Sequence, residues 1–137
     1  MTNSIRTLGV VAAAGGAAWL AKFGVIVATD GAVDDEGAAA VFFVAGAVLM
    51  AVGAAAVTLR LARSAATALA AAIAAPLLWW VTFMVLEPLA EGAVGDAGAS
   101  WLQDEAGIAL TGAVWLALGL ASRRQVASMS PTRTRMV

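Results

Sequence analysis

Residues 37–59 and 64–86 form two stretches without a single charged side chain. A helix rising ~1.5 Å per residue crosses a hydrocarbon core of ~30 Å in about 20 residues, and both stretches exceed that length. A third run, 7–29, is interrupted only by Lys22. A fourth, 106–122, extends back through Trp101 and places Asp104 and Glu105 in its expected first turn, where acids complement the helix dipole. The runs are apolar on every face and rich in alanine, so they read as helices rather than as membrane strands, which alternate apolar and polar residues. The expected fold class is all-α: a polytopic membrane protein built as a four-transmembrane-helix bundle with short loops. The spans fall at about 7–29, 37–59, 64–86 and 104–122 of a single membrane domain over residues 1–137, with 123–137 as a basic tail. A cleaved signal peptide over the first run is disfavoured by its length and by Lys22.

Composition supports the membrane setting. Of 137 residues, 62% are hydrophobic and 12% charged, against about 45–50% and about 25% in soluble domains. The net charge of −1 hides a sorting along the chain. Arg6, Arg60, Arg63, Arg123, Arg124, Arg133 and Arg135 fall in alternate loops and at both ends. The acids occupy the other loops: Asp30, Asp34, Asp35 and Glu36, then Glu87, Glu91, Asp96, Asp104 and Glu105. By the positive-inside rule the N- and C-termini face the cytoplasm and the 30–36 and 87–105 loops face outward. Heavy use of Ala, Gly, Val and Arg suits a GC-rich prokaryotic genome, hence a cytoplasmic (inner) membrane location.

Several chemistries lack their parts. The chain has no cysteine and no histidine, which removes thiol redox and histidine-based acid–base, haem and zinc chemistry. Its serines have no neighbouring base, and Gly15-Gly16 has no basic residue placed to meet a phosphate. The 30–36 acidic loop lacks the ligand alternation of an EF-hand, so no metal is expected. No cofactor, no enzymatic activity and no nucleic-acid partner are expected either.

The costly residue is Lys22. A lysine at the centre of a span costs roughly 2.5–3.5 kcal/mol on the insertion scale and usually faces protein or water with a partner. It lies about 10 Å below the outer end of its helix, within partial snorkelling range. Glu87 is the partner expected first, at the outer end of the third helix, with Asp30, Asp104 and Glu105 as alternatives in the same layer. Pro88 should turn Glu87 out of helical geometry, leaving 87–100 as an irregular loop. Pro76 should kink the third helix near Ala72, with Trp79 and Trp80 filling space beside the kink.

Helix association in lipid relies on close packing of small residues. Gly46 and Gly53 are seven apart on the second helix, Gly112 and Gly119 repeat that spacing on the fourth, and Gly15 lies on the face of Lys22. These faces serve either packing within the bundle or an oligomer interface.

In size and helix count the chain is similar to the small multidrug-resistance exporters. Those carry a membrane-embedded glutamate in the first helix where this chain has Lys22, so the similarity is one of dimensions and transfers no site. The expected function is a structural or accessory bundle that homo-oligomerises or packs on a larger membrane complex, with the lipid bilayer as its solvent. The alternative is a small oligomeric transporter or channel with Lys22 and Glu87 as an intramembrane site.

Overall fold

The structure, a computed structural model, describes residues 2–33 and 36–128. Asp34, Asp35, Arg133 and Arg135 lie outside the described residues. Four long helices make up the fold: α1 (Thr2–Ala28), α2 (Gly37–Gly53), α3 (Ala65–Val94) and α4 (Ser100–Ser128). Past Ala54, α2 continues through a short helical turn, Ala55–Thr58, and a 3-10 turn, Leu59–Leu61. Among the described residues there is no strand. All four helices are long and apolar enough to cross a bilayer.

The ends follow local chemistry. Ser64 caps α3 by accepting from the Thr67 amide at 3.2 Å, while the Thr67 hydroxyl accepts from the Ser64 amide at 2.8 Å. This reciprocal box satisfies two amides that a helix start leaves without partners. At its other end α3 stops at Gly95, whose φ of 57° is open to glycine and strained for most side chains.

The first helix begins at Thr2 rather than near residue 7, and three boundaries that bear on the site also differ from the sequence expectation. The third helix does not end at 86: residues 87–94 are helical, with Glu87 and Pro88 inside the helix. The rule that a residue before proline leaves helical geometry is a preference, and here the flanking ladder outweighs it. The fourth helix starts at Ser100, so Asp104 and Glu105 are not in its first turn but deeper in. It also runs on past 122 to Ser128, so the start of the expected basic tail, 123–128, is helical.

The helices run antiparallel to their neighbours, and α1 is the centre of the arrangement. One of its faces lies on α4 and the adjacent one on α2, while α3 leans chiefly on α4 and more lightly on α2. Small residues make these approaches possible. A methyl group on Gly16 would collide with the Gly112 carbonyl and stand 2.6 Å from the Leu116 amide nitrogen. One on Gly15 would stand 2.7 Å from the Met50 amide nitrogen and 2.8 Å from the Gly46 carbonyl oxygen. Gly53 lies equally close to Ala12, and Gly119 to Gly9 and Ala13. The glycines at 46, 53, 112 and 119 therefore all meet α1 of the same chain.

The core formed this way contains Ala12, Trp19, Met50, Ala54, Ala75, Ile108 and Trp115. The outward surface is apolar as well: Val41, Val44, Val48 and Val52 on α2, and Leu69, Ile73, Leu77 and Val81 on α3 are exposed. On α3 only Ala75 and Ala90 are fully buried. Helices that are apolar all round belong in lipid or in the interior of a larger assembly.

The contacts predict opposite outcomes for two glycines of one helix. Gly16→Ala should destabilise the bundle by about 1–3 kcal/mol through overpacking against α4. Gly24→Ala meets nothing within 4 Å and should be neutral or add about 0.5–1 kcal/mol of helix stability. Unfolding titrations in mixed micelles read both.

Candidate functional site

Along α1, Gly9 and Gly16 share one face, with Lys22 about a third of a turn round on the side of Gly15; along α4, Glu105, Gly112 and Gly119 recur every seven residues. With the helices antiparallel, Gly9 meets Gly119 and Gly16 meets Gly112. The same register brings Lys22 opposite Glu105. The Lys22 ammonium donates to both carboxylate oxygens, each at 2.8 Å. Lys22 is 1% and Glu105 6% exposed, so the clamp is closed off by protein. It lies ~9 Å in from the end of α1 and ~7.5 Å in from the start of α4, counting residues along each helix.

Aromatic rings complete the surroundings. The Lys22 ammonium is 5.3 Å from the centroid of the Phe43 ring on α2, within cation–π range. Trp19, one turn before Lys22, stacks on the same ring at 5.4 Å and donates its indole N–H to the Phe43 carbonyl at 2.9 Å. Phe83 and Trp79 of α3 approach Trp19 edge-on at 5.4 and 5.9 Å. Each such pair contributes ~0.5–1.5 kcal/mol beyond its buried area. The charge pair of α1 and α4 is thus covered by Phe43 of α2, and Trp19 beside it is packed on by Trp79 and Phe83 of α3.

The structure corrects the expected partner. Glu87 does not clamp Lys22; it is half-buried with its backbone against α4, so that a methyl group on Gly107 would stand 2.8 Å from the Glu87 Cα. The cause is the uninterrupted helix through Pro88, which holds Glu87 on the face of α3 that packs on Gly107. Asp104, beside Glu105 in sequence, points outward and is exposed. Asp30 is exposed at the end of α1 with a φ of 50°. Gly31 follows with a φ of 76°, and its α-carbon faces the Trp101 ring so closely that no side chain would fit. Pro76 is exposed in a shallow groove that it lines with Leu8, Ala51 and Ala55, and Trp79 lies beside Phe83. Glu105 could have been singled out from the sequence by extending the Gly119–Gly112 spacing one more step.

A second polar feature lies where α3 meets α4. Glu87 against Gly107 sets an antiparallel register in which Phe83 falls level with Thr111 and Trp79 with Trp115. The Thr111 hydroxyl and the indole nitrogens of Trp79 and Trp115 are buried with no hydrogen-bond partner. These groups make the α3–α4 seam more polar, and energetically weaker, than the glycine-lined seam between α1 and α4.

No group of three or more metal-binding side chains occurs among the described residues. No known protein family, curated protein or solved structure matches the chain. The chemistry of the site therefore rests on its own geometry. A carboxylate bound through both oxygens to an ammonium, under an aromatic lid, is suited to holding two helices in register.

Two results should follow. Glu105→Gln should cost about 3–5 kcal/mol by removing the carboxylate charge that faces the buried Lys22, and Lys22→Met combined with Glu105→Leu should recover most of it. Glu87→Gln should instead be additive with Lys22→Met. An additive Lys22–Glu105 cycle, or strong coupling to Glu87, would contradict the clamp. Separately, Thr111→Val should leave stability unchanged or raise it by about 1 kcal/mol, because it removes a buried hydroxyl without a partner.

Proposed function

We propose that the chain is a non-catalytic membrane building block, a four-helix bundle that presents α3 to a second copy or to a larger membrane complex. The observation that carries this reading is the closed clamp: the one lysine of the chain is bound by both oxygens of Glu105, buried, and covered by the Phe43 ring. A charge used to move a substrate has to be reachable from a path, and α1 and α4 press together along the glycines next to this pair. Transport through Lys22 and Glu87 loses support because the two residues serve different seams. The light packing of α3 supports a role for its outer surface in assembly.

The same proposal includes orientation. Arg6, Arg60, Arg63, Arg123 and Arg124 gather at one end of the bundle, where the Arg60 guanidinium donates to Gln125 at 2.6 Å. Asp30, Glu91, Asp96 and Asp104 gather at the other. A charge asymmetry of this kind supports an orientation with the arginine end and both termini in the cytoplasm, in the inner membrane of a prokaryote.

Purification in mild detergent at native expression, with mass spectrometry of what co-purifies, tests the reading. A stoichiometric partner or a defined homo-oligomer, cross-linked through residues of α3, is the expected result. A monomer with a substrate flux that Lys22→Leu abolishes without unfolding the bundle would overturn it.

A further inference from the structure

Arg6 of α1 and Arg123 of α4 line one open groove of about 420 Å³, completed by Thr7 and Val10. The close approach of the two helices creates it: a methyl group on Gly9 would stand 3.0 Å from the Ser122 Cβ and 3.6 Å from the Arg123 amide nitrogen. With the backbones this near, two guanidinium groups from different helices flank a single space. Among the described residues no carboxylate pairs with either of them, and the described acids outside the clamp lie toward the other end. The Thr7 hydroxyl is committed to the Asn3 carbonyl at 3.0 Å, so the charge of the groove is that of the arginines. One turn deeper, Val10 is 48% exposed and supplies an apolar wall.

The geometry points to a binding site for the phosphate headgroup of an anionic phospholipid. Guanidinium groups bind phosphate oxygens through paired hydrogen bonds, and basic pockets between membrane helices hold acidic headgroups. The vertical order matches such a lipid: two cations at the level of the headgroup, and an apolar wall where the acyl chain begins. The inference rests on the proposed membrane orientation, since it needs the arginine end at a headgroup layer.

Native mass spectrometry of the full chain, released from nanodiscs of mixed phosphatidylcholine and phosphatidylglycerol, tests it. Wild type should retain one phosphatidylglycerol in preference to phosphatidylcholine. An Arg6→Gln/Arg123→Gln variant should lose that preference by roughly thirtyfold, about fivefold per arginine. Arg63→Gln, at the same end but outside the groove, should keep the preference. Helicity and melting of each variant in the nanodisc show whether the bundle remains inserted and folded, which separates a failed site from a failed membrane reading. Equal retention of the two lipids by folded wild type would overturn the site, as would an equal loss in Arg63→Gln. Displacement of the lipid by millimolar inorganic phosphate would overturn a lipid ligand in favour of a soluble phosphate.

Discussion

An ammonium and a carboxylate taken out of water each lose several kcal/mol of solvation, and only a well-aligned partner returns it. Lys22 and Glu105 meet that condition with two 2.8 Å contacts and almost no exposure. The consequence for the fold is register. Apolar helices packed through glycine can slide by a turn at small cost, because one alanine or valine resembles the next. A slide of α1 along α4 by one turn would separate the two charges inside an apolar bundle. The pair therefore selects one alignment, and the glycine contacts then bring the backbones close in that alignment alone. Phe43 and Trp19 extend the same selection to α2.

The hierarchy of packing follows from where the small residues lie. The α1 helix has glycine on two adjacent faces, Gly9 and Gly16 toward α4 and Gly15 toward α2. It becomes the axis on which both partners settle. The α3 helix has no glycine between its start and Gly92, and a glycine of α4, Gly107, admits it closely at Glu87. Its contact with the rest is built from Trp79, Phe83 and alanine, with unpartnered polar atoms along the seam. The tightest seam and the loosest one are thus both consequences of glycine placement.

Much of the fold was legible in the sequence, because length and absence of charge in 37–59 and 64–86 leave a helix few alternatives. The boundaries were less legible. Pro88 and the polar mixture after it resemble a loop, yet the helix persists to Val94 because a proline removes one hydrogen bond without removing the rest of the ladder. That extension decided the site: it turned Glu87 toward Gly107, and the longer start of α4 carried Glu105 inward to Lys22. The acids of the layer could be named from the sequence. Choosing among them required helix rotation, which depends on two boundaries that composition leaves open. Phe43 beside the pair, and Phe83 beside Trp19, carry no signal of their own and become visible only when the helices are assembled.

The central claim is that one charge pair fixes the alignment of α1 and α4 in the bilayer. Magic-angle-spinning NMR of the chain in lipid bilayers, with labelled lysine and selectively labelled glutamate, measures it directly. A strong dipolar coupling between the single lysine Nζ and the Glu105 carboxylate carbon is expected. A coupling to the Glu87 carboxylate instead, or a lysine with no carboxylate beside it, would contradict it.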